Sequence, residues 1–168
     1  MIKQKELQEF RPRVRYKNGD DVTLEALQEL LENYFNESAI PVSFYSDEIQ
    51  LGGLFSLDFA PCLVLCHPDH KDDYFKFSIQ VKRQGNLAYV SVDSFGSSRM
   101  MGNQDASDYL KDTLRFGSGA ATSEKVGALL GAGARAILKG GMKVNKQKLE
   151  DEQDWYSFVS DAFEEVIA

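Results

Sequence analysis

The stretch Tyr74-Phe75-Lys76-Phe77-Ser78-Ile79-Gln80-Val81-Lys82-Arg83-Gln84-Gly85-Asn86-Leu87-Ala88-Tyr89-Val90-Ser91-Val92-Asp93-Ser94-Phe95 decides the fold. Phe75, Phe77, Ile79 and Val81 alternate with polar residues, and so do Ala88, Val90 and Val92 after Gly85-Asn86. Strict alternation is the signature of a strand with one buried face. A two-residue Gly85-Asn86 loop sets Gln84 opposite Leu87, Val81 opposite Val90 and Ile79 opposite Val92. A slip of one residue would turn Val90 and Val92 to the lysine side, so the register is well determined. This reading predicts an antiparallel sheet with one wet side. On that side Lys76, Lys82 and Tyr89 read as an ordinary solvent face, with a binding patch as the alternative.

Upstream, Pro41-Val42-Ser43-Phe44-Tyr45 is a short alternating strand. Residues 48–59 are harder to read, with a bulge or turn at Gly52-Gly53. Cys62-Leu63-Val64-Leu65-Cys66 lacks polar alternation and reads as a strand covered on both faces. Before the sheet, Thr23 offers an N-cap, and Leu24, Leu27, Leu30, Leu31, Tyr34 and Phe35 recur at helical spacing. They predict a helix of about 13 residues that Pro41 prevents from resuming.

Downstream, Asp105 to Phe116 and the stretch from Thr122 to Gly140 carry helical patterns. The last helix begins near Leu149, with Glu150, Asp151, Glu152 and Asp154 in its early turns, where acids suit the helix dipole. Trp155, Phe158, Val159, Ala162, Phe163 and Val166 form its apolar stripe. The fold class is therefore α+β. An N-terminal helix precedes an antiparallel meander sheet of four to five strands, and two to three C-terminal helices pack on one sheet face. The domain division is a basic N-terminal tail over 1–19 and a single α+β domain over 20–168, with a sheet core at 40–96 and a helical segment at 105–168.

Bulk properties narrow the function. The chain has 168 residues, 43% hydrophobic and 27% charged, as an ordinary globular domain has. The net charge of −7 argues against nucleic acid, which needs a concentrated positive surface. Residues 1–17 run the other way, with six Lys and Arg against Glu6 and Glu9, which leaves −11 for the remainder. They read as a solvated basic tail, or as an arm that docks on an acidic partner or on a second copy. The N-terminus lacks the apolar core of a secretory signal, and no apolar run reaches the roughly 18 residues of a membrane span. Cys62 and Cys66 sit roughly 13 Å apart on a strand, too far for a disulfide. They read as buried free thiols in a reducing compartment, which points to a cytoplasmic location.

Four features invite a functional reading. Cys66-His67-Pro68-Asp69-His70 ends in a turn that brings His67 and His70 together, and Cys66 or Asp72 would complete a zinc site. The alternative is a solvated loop. A Cys66–His67 nucleophile would need a lowered thiol pKa, and the apolar neighbours of Cys66 push it the other way. Gly117-Ser118-Gly119 lacks the Gly-Lys-Ser/Thr ending of a phosphate loop and reads as a hinge. Gly127, Gly131 and Gly133 each cost a helix about 1 kcal/mol relative to alanine. Close internal packing, self-association through a smooth face, or a break at Gly131 would account for them.

No cofactor is expected beyond the zinc alternative. The leading expectation is a non-catalytic protein-binding module, of chaperone, adaptor or immunity type, with a protein partner or self-association. One alternative is a small-ligand carrier with a pocket lined by Phe44, Phe55 and Trp155. The other is a metal-dependent enzyme using the His67–Asp73 loop.

Overall fold

The structure is a computed structural model that describes residues 1–98, apart from 54 and 56, and residues 146–168. The helices expected between 105 and 140, the Gly117–Gly119 hinge and the Gly127, Gly131 and Gly133 face lie outside the described residues.

The architecture is α+β. Strands β1 (Ile2–Lys3) and β2 (Gln8–Tyr16) come first, then helix α1 (Leu24–Glu37). Strands β3 (Ser43–Gln50), β4 (Phe59–Cys66), β5 (Lys76–Gln84) and β6 (Leu87–Phe95) follow, and helix α2 (Lys146–Ile167) ends the chain. One six-stranded sheet runs in the order β1-β3-β4-β5-β6-β2. Its centre is the expected antiparallel meander, β3 to β6. The sheet is nevertheless mixed, because β1 pairs with β3 in parallel.

The N-terminal segment corrects the sequence reading. Residues 1–19 are not a loose basic tail: β1 lies at one edge of the sheet and β2 at the other. The helix accordingly follows two strands instead of opening the fold. β2 hides its amphipathic character behind its arginines. Phe10 is buried, Val14 and Tyr16 pack against the same core, and Arg11 and Arg15 stay exposed. Charged residues on an edge strand also discourage edge-to-edge association.

The hairpin forms in the expected register, with Ile79 opposite Val92, Val81 opposite Val90 and Gln84 opposite Leu87. Gly85 adopts a φ of 61°, which glycine reaches without steric cost. The Thr23 hydroxyl accepts a hydrogen bond from the Ala26 N–H at 3.1 Å and caps α1.

Both helices cover the same sheet face. Leu27, Leu31 and Phe35 of α1 share one core with Phe77, Ile79, Val90 and Val92 of the sheet. Tyr156, Val159 and Phe163 of α2 complete it. Leu63 and Leu65 of β4 face this core, while Cys62 and Val64 join Ile2 and Ile49 in a second cluster. β4 is thus covered on both faces, and its two cysteines are buried free thiols. The second face is drier than its polar pattern suggests. Ser78 (0% exposed), Gln80, Ser91 and Asp93 (7% exposed) are buried there. Arg13 pairs with Asp93, and the Gln80 side-chain amide donates to the same carboxylate at 3.3 Å. Arg13 and the Gln80 amide between them offset the burial of the Asp93 carboxylate.

Candidate functional site

The loop after β4 is tightly wound. The His70 N–H donates to the His67 carbonyl at 3.2 Å, and the Tyr74 N–H donates to the His70 carbonyl at 3.2 Å. His67 Nδ1 accepts from the Asp69 N–H at 3.1 Å, and His70 Nδ1 lies 3.2 Å from both Asp73 carboxylate oxygens. The two imidazoles do converge, with centroids 4.7 Å apart. His70 stacks flat on Tyr74 at 4.0 Å, and His67 meets the Trp155 ring at 5.3 Å. Burial, reinforced by His70, pushes the His67 pKa down and favours its neutral form.

Trp155 joins this loop to α1 and β3. Its indole N–H donates to the Pro41 carbonyl at 2.9 Å. Between these pieces opens a cleft of about 690 Å³. The turn from Ser38 to Pro41 forms one wall, and Tyr34 stands beside it. His67, His70 and Tyr74 form another, and Asp151, Asp154, Trp155 and Phe158 of α2 form the third. The α2 residues fall at successive i, i+3, i+4 and i+7 positions, so a single helix stripe supplies carboxylates and rings together.

Behind the cleft wall lies a buried acid. Glu152 is 0% exposed. Its Oε1 accepts a hydrogen bond from the Tyr156 hydroxyl at 2.6 Å and another from the Ser98 hydroxyl. The Tyr156 oxygen in turn accepts from the Phe75 N–H at 2.8 Å. Glu152 Oε2 has no hydrogen-bond partner among the described residues. Burial pushes the Glu152 pKa up to about 7, against the pull of its two hydroxyl donors, and the Asp73 charge adds to the rise. Tyr74 is pushed up to about 12, first by burial and then by Glu152, Asp151 and Asp73. Asp154 is also raised, by burial and by repulsion from Glu150 and Asp151.

Of the expected zinc ligands, the structure brings His67 and His70 together and leaves Cys66 and Asp72 out of the cleft. Cys66 is buried at the end of β4, where desolvation raises its thiol pKa, and Asp72 is exposed. Among the described residues, no group of three or more His, Cys, Asp or Glu side chains could hold a metal ion. Of the expected carrier pocket, Trp155 lines the cleft. Phe44 instead packs near Phe35, and Phe55 is 97% exposed. On the far sheet face Lys82 is exposed and Tyr89 lies under the Arg15 guanidinium, 5.9 Å from it.

Sequence reading missed Glu152 and Tyr156. They were legible as members of a second helical series, Leu149, Glu152, Tyr156, Phe163 and Ile167, all buried. The acid at 152 disguised it. Val166 of the expected stripe is half-buried and Phe158 is 48% exposed at the cleft mouth.

Among the described residues, no helix is long and apolar enough to cross a membrane. No family model, curated protein or solved structure matches the chain.

Proposed function

We propose that the chain is a non-catalytic protein-binding module, and that its recognition site is the cleft between α1, α2 and the His67–Tyr74 loop. The observation that carries this reading is the open, ring-walled volume of about 690 Å³ with Phe158 exposed at its rim. Exposed aromatic surface beside a concave site is the usual anchor for a partner's side chain. The most nucleophilic residue type in the chain supports the non-catalytic half. Both cysteines are buried with raised pKa values, so neither offers a ready thiolate.

Selection of random peptides on the immobilised full chain tests the proposal. Enriched peptides are expected to bind the wild type and to lose at least tenfold in affinity on Phe158→Ala, an exposed position that leaves the core intact. Peptides indifferent to that change, or no enrichment at all, would count against the cleft. A second reading, a small-ligand carrier, is favoured by the cleft volume, which falls within the roughly 300–1,000 Å³ of small-molecule sites. Native mass spectrometry of the purified chain tests it, with a co-purified adduct as the expected signal.

A further inference from the structure

We infer that the cleft is built for a positively charged side chain, an ammonium or guanidinium presented by a basic segment of a protein partner. This inference rests on the cleft being the recognition site. Tyr34 and Phe158 contribute partly exposed rings to its walls, and Tyr74 and Trp155 line it with rings 8% and 4% exposed. Aromatic faces carry the negative end of a quadrupole and attract cations held within about 6 Å. Asp151 and Asp154 stand on the same helix stripe as two of those rings, at the mouth where an incoming cation would pass.

No lysine or arginine is found among the described lining residues. Of the two imidazoles, burial keeps the His67 ring toward its neutral form, and His70 Nδ1 already lies 3.2 Å from the Asp73 carboxylate. The acids also crowd each other. Burial first, and then the charges of Glu150 and Asp151, raise the Asp154 pKa, and a cation beside the carboxylates relieves the repulsive part. A neutral or anionic occupant would leave the repulsion in place, and an anion would add to it.

Trp155 is the only tryptophan of the chain and lines the cleft, so tryptophan emission arises at that wall. The full chain is titrated with N-acetyl-lysine methylamide and, in parallel, with N-acetyl-norleucine methylamide, which keeps the alkyl stem and lacks the ammonium. The lysine derivative is expected to change Trp155 emission saturably and to bind at least fivefold tighter than the norleucine derivative. Added salt should weaken it, and D151N/D154N should abolish the difference, with circular dichroism confirming that this surface variant is folded. Equal binding of the two derivatives would overturn the cation inference and leave the cleft standing as an apolar site. Binding of choline without binding of the lysine derivative would overturn the protein source in favour of a free organic cation. No response to any probe would also overturn the inference, whereas the recognition site itself stands or falls with the peptide selection on Phe158→Ala.

Discussion

The Tyr156 hydroxyl bridges the Phe75 backbone N–H and the Glu152 carboxylate, accepting at 2.8 Å from the first and donating at 2.6 Å to the second. The residue preceding β5 is thereby tied to a fully buried acid one turn from Tyr156 on α2. A carboxylate in that position is costly when ionised and inexpensive when protonated.

The first prediction is a pH dependence. The folded pKa of Glu152, about 7, stands above its ordinary value of 4.5. The native state therefore holds this proton more tightly than the unfolded chain, and stability falls as pH rises from 4.5 toward 7. The size is about 3 kcal/mol, at 1.36 kcal/mol per pKa unit. In urea unfolding, the stability difference between wild type and Glu152→Gln should shrink, or change sign against the wild type, by about that amount between pH 4.5 and 7.5. A difference independent of pH would show that Glu152 ionises in the fold as it does in water.

Tyr156→Phe removes the bridge without removing the ring. It leaves the Phe75 N–H without its partner and Glu152 without one of its two donors, each a loss of about 1–3 kcal/mol when buried. The expected destabilisation is about 3 kcal/mol. The midpoint of the Glu152-linked pH dependence should also move upward, since the tyrosine hydrogen bond favours the charged form.

Gly19 tests the packing between the β2–α1 connection and the hairpin. A Cβ added there would lie 2.5 Å from the Ala88 Cβ, closer than two side chains can approach. The Gly19 N–H also donates to the Asn86 carbonyl at 3.0 Å, so the segment cannot simply move away. Gly19→Ala should cost about 1–3 kcal/mol, as overpacking does. Adding Ala88→Gly should recover part of it, and a double-mutant cycle by thermal unfolding measures the coupling.

Arg13→Leu tests whether the N-terminal strand is structural. Asp93 is already raised by burial, and Arg13 holds that rise in check. Without the guanidinium, Asp93 and Gln80 remain on a dry face with a charge to accommodate. The loss should be about 2–3 kcal/mol at pH 7, and smaller at pH 4, where the carboxyl is protonated on folding. A neutral effect on urea unfolding would return residues 8–16 to the status of a loose arm.

The parts of this fold that were legible in the sequence were those whose chemistry and geometry agree. Phe77, Ile79, Val90 and Val92 alternate cleanly, so the hairpin and its register follow. Leu27, Leu31 and Phe35 do the same for α1. Phe10, Val14 and Tyr16 also alternate in part, but arginines surround them and the register shifts between Glu9 and Arg13, so a strand reads as a tail. Ser78, Gln80 and Asp93 look wet because they are polar, and only the three-dimensional arrangement, with Arg13 and Gln80 both on the Asp93 carboxylate, shows them dry. The cleft was half legible. The turn at Pro68 announces that His67 and His70 meet, yet its rings from α1 and α2 come from residues more than a hundred positions apart in the chain. Glu152 is hidden by the general rule that an acid in an early helical turn faces water.

The most direct test of the recognition site is structural. A peptide selected on the chain, isotope-filtered against labelled protein, should give intermolecular NOEs to the Trp155 indole and the Phe158 ring. NOEs instead to Tyr45 or Tyr89, on the opposite face of the sheet, would contradict the placement of the binding site in the cleft.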